Sequence, residues 1–229
     1  MKNINHPIIL ETACGHDGKG TNLIKLIDIA KKANARNIKF QIFNLEERAL
    51  KNTKEFKIFK KLVLNEDTWK KCIRYAKNKK LSVFADIYGD YSFKVSLRNN
   101  IDGFKIHSED FFNSFFIEKC ISSKKPTLIG IGGAHRSEIY DLMCFLNKKN
   151  INLSNVYLMV GVQTFPTPLE AHSIYELTDL IKKYEKFGVK FGYADHIDGN
   201  HDLAKIFPFI TYSAGAHIIE KHFTDNRKN

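Results

Sequence analysis

Two lysines stand inside apolar, strand-like segments of this sequence, and they carry its clearest chemical signal. Lys39 lies in the segment 37–43, and Lys105 lies in the segment 103–108. An ammonium group enclosed by protein is costly unless an anion meets it. We therefore expect either an anionic ligand at these lysines or buried carboxylate partners. The candidate partners are Glu11, Asp86 and Glu220.

Two histidines follow the last two strand-like segments. His196 comes directly after Asp195, and His222 comes two residues after Glu220. Neutral imidazole is a common ligand of divalent metal ions, and adjacent strand ends would bring the two rings together. The pattern indicates a two-histidine metal site. Ordinary core or surface histidines are the alternative interpretation.

The elements that must position these residues are short apolar strands that alternate with helices. Runs rich in Ile, Val and Phe with little polar alternation are typical of strands covered on both faces. They fall at 7–13, 37–43, 81–87, 103–108, 126–132, 156–162, 190–195 and 216–222. Helical patterns fall at 20–34, 53–62, 66–79, 90–98, 112–122, 136–149, 168–187 and 201–208. Eight alternating strands predict an α/β protein with a (β/α)8 TIM barrel, whose chemistry sits at the carboxyl ends of the strands.

The length of the chain limits this barrel. Its 229 residues suit one domain, and no repeat or linker divides the span 1–229. Seven residues follow the last strand, which is too few for an eighth helix. We therefore expect that helix to be missing, either because the chain comes from a longer protein or because a partner covers that side. A doubly wound open sheet is the alternative fold, although its G-x-G-x-x-G turn is absent.

The composition excludes several classes of protein. The net charge is +11, but only six of the 36 basic residues are arginine, which argues against bidentate readout of nucleic acid. No apolar stretch has the roughly 20 residues of a membrane span, and no leader-like segment opens the chain. The four cysteines form no C-x-x-C pair, as expected in a reducing compartment. We expect a cytoplasmic protein that binds neither nucleic acid nor membrane.

Seven short motifs follow one another along the chain between residues 8 and 225. They are ETACGHDG from Glu11, KFQ from Lys39, KIHS from Lys105, KP from Lys125, FPTP from Phe165, GYADH from Gly192, and a last segment from Gly215 that ends in IEKHFTD. Together they resemble the motifs of the sialic acid synthase (NeuB) family, which makes neuraminic, legionaminic and pseudaminic acids. The last segment is the most specific of the seven.

The resemblance implies a synthase that forms a carbon–carbon bond. Such an enzyme condenses phosphoenolpyruvate with the aldehyde of an N-acetylated amino sugar and yields a nonulosonic acid. The implied cofactor is Mn²⁺ or Mg²⁺, held here by His196 and His222. The implied catalytic residues are Glu11, Gln41 and Asp195, the last acting through its neighbour. The implied substrate-binding residues are His16, Lys39, Asp86, Lys105, Ser108, Gln163 and Phe165.

By the same resemblance, the two lysines would hold the phosphate and carboxylate groups of phosphoenolpyruvate. The chain departs from the family pattern in that pocket, because Asp86 replaces a hydroxyl residue and Gly130 and Ala194 each replace a serine. Lost hydroxyl donors and an added carboxylate would weaken phosphate binding. The alternative is therefore a divergent or inactive NeuB-like barrel that uses another substrate or serves as a module of a larger protein.

The family's C-terminal antifreeze-like domain has no counterpart in this chain. In the family this domain reaches over the active site of the partner subunit. We therefore expect a homodimer, or a C-terminal domain missing from this chain, as a partner.

Overall fold

Eight parallel strands follow one another in chain order around a closed barrel in the computed structural model, which describes residue 4 and residues 6–226. The strands are β1 (Ile8–Glu11), β2 (Asn37–Ile42), β3 (Ser82–Ile87), β4 (Gly103–Ile106), β5 (Thr127–Gly130), β6 (Val156–Val160), β7 (Lys190–Asp195) and β8 (Ile218–His222). Each lies inside the segment predicted for it. The predicted (β/α)8 TIM barrel is thereby confirmed.

Nine α-helices connect these strands in the described part of the chain. They are α1 (Gly20–Lys32), α2 (Leu45–Arg48), α3 (Lys54–Lys60), α4 (Glu66–Asn78), α5 (Asp90–Arg98), α6 (Ser114–Ser122), α7 (Arg136–Lys148), α8 (Ile174–Tyr184) and α9 (Leu203–Ser213). Up to residue 226 no helix follows β8. Among the described residues, no helix is long and apolar enough to cross a membrane.

Several helix bounds differ from the prediction, and three differences are the largest. The short helix α2 was not expected. Helix α8 begins at Ile174 rather than at 168, because a 3₁₀ turn comes first and the hydroxyl of Ser173 then accepts a hydrogen bond from the Glu176 amide at 3.0 Å as the N-cap. Helix α9 continues to Ser213 although it contains Pro208, which lies near its middle. The prediction ended this helix at the proline, where helices commonly stop.

One compact unit, called here the N-terminal unit, comprises Ile9–Phe104 and the chain from His222 onward. Its strands β1, β2 and β3 are paired in parallel, with Glu11 opposite Lys39 and Gln41 opposite Asp86. Because residues opposite one another in parallel strands share a face, these four polar side chains lie on the same face of the sheet. Helix α4 packs beside α1 and buries Trp69 against the sheet.

The other compact unit, called here the C-terminal unit, comprises Lys105–Lys221 and the chain up to Ile8. Strands β5 to β8 are paired in parallel, with Ala194 opposite Glu220 and Asp195 opposite Lys221. Successive side chains of a strand alternate between faces, so Glu220 and Asp195 point to opposite sides of the sheet. The Asp195 side also carries Tyr193, whose ring packs on Phe207 of α9 at 5.3 Å, and it is therefore the side that faces the helices.

Candidate active site

Four polar side chains from β1, β2 and β3 form one contact network in the N-terminal unit, called here the Lys39 cluster: Glu11, Lys39, Gln41 and Asp86. The Lys39 Nζ lies 2.6 Å from the Glu11 Oε2, 3.1 Å from the Asp86 Oδ1 and 2.9 Å from the Asp86 Oδ2. The Gln41 side-chain amide donates to the Glu11 Oε1 at 2.8 Å. The structure thus brings together four residues that the sequence singled out.

The Lys39 cluster combines deep burial with paired charges. The Lys39 and Asp86 side chains are fully buried, and that of Glu11 is 2% exposed. The Lys39 ammonium thus contacts carboxylates from two neighbouring strands, β1 and β3. Of the two expectations for Lys39, the structure confirms carboxylate partners. Charges this far from water are stable only when they are paired, so the three side chains hold one another in place.

Two groups outside the predicted set lie near this cluster. Tyr88 is buried beyond the end of β3, and burial, with the Asp86 charge as a further cause, raises its pKa well above the usual range. The Arg48 guanidinium packs over the rings of Phe59 and Tyr88, 4.4 Å and 4.7 Å from their centres. No motif could have identified Arg48, because it is positioned by the unpredicted helix α2.

Cys14 and His16 follow β1, and both are uncharged at neutral pH. Burial raises the pKa of the Cys14 thiol to about 11, and its Sγ lies 3.5 Å from the Gln41 Oε1. Burial lowers the pKa of His16 to about 4. The His16 Nδ1 accepts a hydrogen bond from the Gly18 amide at 3.1 Å, and its ring meets the Trp69 ring edge-on. His16 has a fully buried side chain and contacts the first loop through Gly18, and its substrate-binding role stays a prediction.

The C-terminal unit contains a second buried lysine, in a pair called here the Lys105 pair. The Lys105 Nζ lies 2.5 Å from the Glu220 Oε1, and both side chains are at most 3% exposed. Here too the structure confirms the expectation of a carboxylate partner.

Asp195 lies on the helix-facing side of β7. Its Oδ2 is 2.5 Å from the Lys221 Nζ, and its Oδ1 accepts a hydrogen bond from the Ile197 amide at 3.0 Å. Because Ile197 directly follows His196, these contacts fix the turn that carries His196. This placement makes Asp195 a positioning residue rather than a group that reaches a substrate.

His196 belongs to a loop environment that also contains Gln163 and Phe165. The His196 Nδ1 lies 2.9 Å from the carbonyl oxygen of Val162. A carbonyl can only accept, so Nδ1 carries a proton, and in the neutral imidazole Nε2 then has the lone pair. This is the tautomer in which Nε2 can bind a metal ion. The Phe165 ring, which is exposed, packs against the imidazole at 4.3 Å between centres, and Gln163 is half-buried in the same loop.

His222 ends β8 in the N-terminal unit. Its Nε2 lies 3.7 Å from the Glu11 Oε2, which places an imidazole beside the Lys39 cluster. Within residues 4 and 6–226, no three or more His, Cys, Asp or Glu side chains are grouped so that they could hold a metal ion. The two-histidine metal site therefore stays a prediction.

Residues 26–229 match the family model described as the NeuB family. The chain belongs to the NeuB family. It is 27% identical to an uncharacterised protein of Methanocaldococcus jannaschii over 95% of this chain and 61% of that protein. It is 26% identical to a pseudaminic acid synthase of Campylobacter jejuni over 94% of this chain and 64% of that protein. The chain thus spans a little over three fifths of the length of these two relatives.

A solved NeuB-type structure supports the same fold. The N-acetylneuraminic acid synthetase of Leptospira borgpetersenii, crystallised with citrate, superposes with a TM-score of 0.87 at 26% identity. The match covers 100% of this chain and 79% of that chain. The predicted membership and the predicted barrel are both confirmed by these comparisons.

The C-terminal unit also explains one departure from the NeuB pattern, the glycine at position 130. A Cβ atom at Gly130 would lie 2.8 Å from the backbone nitrogen of Ser108, closer than side chains approach backbone. Ser108 begins a 3₁₀ turn directly after β4. The backbone of residues 107–108 therefore occupies the space that a side chain at 130 would need.

Proposed function

We propose that this chain is the barrel of a nonulosonic acid synthase, which condenses phosphoenolpyruvate with the open-chain aldehyde of an N-acetylated amino sugar. The observation that carries the proposal is the NeuB match over residues 26–229, together with relatives named pseudaminic and N,N'-diacetyllegionaminic acid synthase. In this reaction C3 of phosphoenolpyruvate attacks the aldehyde carbon, water adds at C2, and phosphate leaves with cleavage of its C–O bond.

The Lys39 cluster supplies groups that such a reaction needs. Glu11 is held by Gln41 on one oxygen and by Lys39 on the other, so its carboxylate keeps one orientation. A fixed carboxylate can orient a sugar hydroxyl or accept a proton from the attacking water. By the family resemblance, Lys105 and Ser108 would bind the anionic groups of the donor. Lys105 would act as a point charge, and Ser108 would donate a hydrogen bond from its hydroxyl.

A divalent cation is part of the proposal through the family resemblance. His196 and His222 would hold it, and the tautomer of His196 suits a metal ligand. Mg²⁺ commonly uses few protein ligands and completes its shell with substrate and water, so the proposal does not need a three-residue group. When bound, the cation would polarise the sugar aldehyde.

Turnover tests the proposed reaction. The protein is incubated with phosphoenolpyruvate, Mn²⁺ and a panel of N-acetylated hexosamines, and the release of phosphate and of nonulosonic acid is measured. We expect product with at least one sugar. Glu11→Gln should lower the rate of product formation by about a hundredfold or more. No product from either this chain or a full-length protein that contains it would overturn the proposal.

Calorimetry with Mn²⁺ alone tests the two histidines. We expect His196→Ala and His222→Ala each to weaken Mn²⁺ binding at least tenfold. The exposed His201 supplies the matched control, and His201→Ala should bind Mn²⁺ as the unaltered chain does. Equal binding by all four proteins would remove the metal from the proposal.

The contact of Asp86 with Lys39 favours a second candidate function, a NeuB-type barrel that acts on a different donor. Binding of Mn²⁺ without measurable binding of phosphoenolpyruvate would select it. A cytoplasmic location and a homodimer or further C-terminal domain remain predictions from the sequence.

A further inference from the structure

A cavity of the C-terminal unit lies at the opposite end of its strands from the loop that carries His196. Its volume is about 620 Å³, within the roughly 300–1,000 Å³ usual for small-molecule sites. Its walls include Pro7, Tyr157, Lys190 and His217, each within one residue of the start of a strand. We propose that this cavity, called here the Lys190 pocket, binds a small organic carboxylate with a flat apolar body.

The Lys190 pocket is set apart from the candidate active-site loop of the same unit. Lys190 lies opposite Tyr157 in the pairing of β7 with β6, and Gly192 lies opposite Met159 in the next layer. A Cβ atom at Gly192 would clash with the Met159 sulfur, so the methionine fills the space over this glycine. From Lys190 to His196 the chain rises by roughly 20 Å at the usual spacing of a strand. A ligand in the pocket would therefore not reach His196.

The Lys190 ammonium gives the pocket a positive charge. Its Nζ donates a hydrogen bond of 3.5 Å to the Tyr157 hydroxyl and lies 5.3 Å from the centre of that ring. Among the described residues, no carboxylate lines the pocket and none is paired with Lys190. An anion in the pocket would thus meet the ammonium without displacing a carboxylate of the described chain.

Two histidines also line the pocket. Burial, with the charge of Lys190 as a further cause, lowers the pKa of His217, so this ring adds little charge at pH 7. The His6 Nδ1 accepts a hydrogen bond from the Ile8 amide at 3.3 Å, which requires an uncharged ring. The proposal therefore assigns the binding of the anion to Lys190.

The backbone around the pocket favours a carboxylate over a phosphate. Gly215, with φ of +103°, turns the chain from α9 towards β8. The amides of residues 215–217 already donate to backbone carbonyl oxygens at 2.7–3.0 Å. Phosphate sites commonly use several backbone amides or an arginine, and the described walls contain no arginine. A single ammonium matches the single charge of a carboxylate.

Two tyrosines supply the surface for the body of the ligand. Tyr157 is buried and Tyr212 is half-exposed, and both line the pocket beside Pro7. Aromatic rings pack well against flat apolar groups. Burial raises the pKa of Tyr157, so its hydroxyl keeps its proton and can donate to a carboxylate while it accepts from Lys190.

Amide NMR of the ¹⁵N-labelled chain tests the pocket with three probes: benzoate, its neutral analogue benzamide, and inorganic phosphate. Each probe is titrated into the unaltered chain and two variants. Lys190→Met removes the charge and keeps the length of the side chain. The matched control is Lys183→Met, which changes an exposed lysine of α8.

We expect benzoate to shift the amide signals of residues 190 and 215–217 saturably, with the low-millimolar dissociation constant usual for so small a ligand. Benzamide and phosphate should bind roughly tenfold more weakly or less. Lys190→Met should weaken the binding of benzoate by roughly tenfold or more. Lys183→Met should bind benzoate as the unaltered chain does.

Four results would overturn the proposal. They are no saturable binding of benzoate, equal affinity for benzamide or phosphate, shifts confined to the loop around His196, and unchanged benzoate affinity in Lys190→Met. The first three need no variant, so they decide the matter even where Lys190→Met does not fold. Because no turnover is measured, failure of the proposed function would leave this inference standing.

Discussion

The Lys39 cluster and the Lys105 pair present the same residue in two electrostatic settings. Each lysine is carried by a strand, each is buried to within 2% of full enclosure, and each has a carboxylate at 2.6 Å or less. The Lys105 ammonium contacts Glu220, whereas the Lys39 ammonium contacts both Glu11 and Asp86. The difference teaches that a buried lysine does not by itself mark an anion-binding site, because carboxylates of the protein already meet it.

Among the variants that test this comparison, loss of Lys39 should have the largest effect on stability. Lys39→Met keeps the length of the side chain but leaves Glu11 and Asp86 buried without their shared cation. We expect the free energy of unfolding to fall by about 3–5 kcal/mol or more, or the chain not to fold. Denaturant unfolding at pH 7 measures this change in the free energy of unfolding.

The control for Lys39→Met is Lys77→Met, which breaks the partly exposed pair with Asp102. It should lose far less stability, because water can solvate the remaining carboxylate. Equal losses in the two variants would contradict the view that the Lys39 cluster is held together by its charges.

The next largest effect is expected at His16, which is a buried group of the N-terminal unit that stays uncharged at neutral pH. Its pKa falls from 6.5 to about 4 on folding, so the unfolded chain takes up the proton first as the pH decreases. The contribution of the neutral His16 to stability is complete above about pH 6.5 and is lost as the pH falls from about 6.5 to 4. The loss amounts to roughly 3 kcal/mol at most.

Denaturant unfolding at pH 7 and pH 4.5 checks this expectation with His16→Gln. This variant should lose less stability between the two pH values than the unaltered chain. His201→Gln, which changes an exposed histidine, should follow the unaltered chain. The same pH dependence in all three proteins would mean that His16 does not account for the loss.

The Lys105 pair should tolerate joint replacement where the Lys39 cluster does not. In the double variant Lys105→Met, Glu220→Leu, both charges are removed and apolar groups fill their space. We expect its free energy of unfolding to lie within about 1–2 kcal/mol of the unaltered value. In Lys39→Met, Asp86→Leu the Glu11 carboxylate remains buried, so a comparable recovery there would break the comparison.

The smallest effect is expected at an exposed ion pair. Arg98 and Glu66 meet in a two-pronged contact at 2.7 and 2.8 Å, but both side chains are substantially exposed. Arg98→Ala should lower the unfolding midpoint least of all these variants, and added salt should reduce the difference further. A salt-independent loss as large as that of Lys39→Met would show that burial is not what separates these pairs.

Much of the fold could be predicted because strand signals are local. Apolar runs and their alternation with helices located all eight strands, and order around the barrel followed from the short connections. Helix ends were less accurate. Helix α9 continues past Pro208, where the prediction ended it. The start of α8 depends on which of several nearby polar residues is the N-cap, and in the structure it is Ser173.

The four residues of the Lys39 cluster were singled out from the sequence, but their contacts were not predicted. Lys39 and Lys105 were identified as charges inside apolar segments, and Gln41 through the family resemblance. Pattern alone could not say that Asp86 lies diagonal to Lys39, since that depends on the register of β3. Nor could pattern alone place the Asp195 side chain on the helix-facing side of β7, because a shift of one residue along the strand reverses the face.

The close approach of Gly130 to the backbone of Ser108 also bears on how this barrel could change over evolutionary time. A serine at position 130 would collide with residues 107–108 unless that backbone moved first. The two positions are therefore coupled: a larger residue at 130 is compatible with this barrel only together with a shift of residues 107–108, so the two changes should be non-additive.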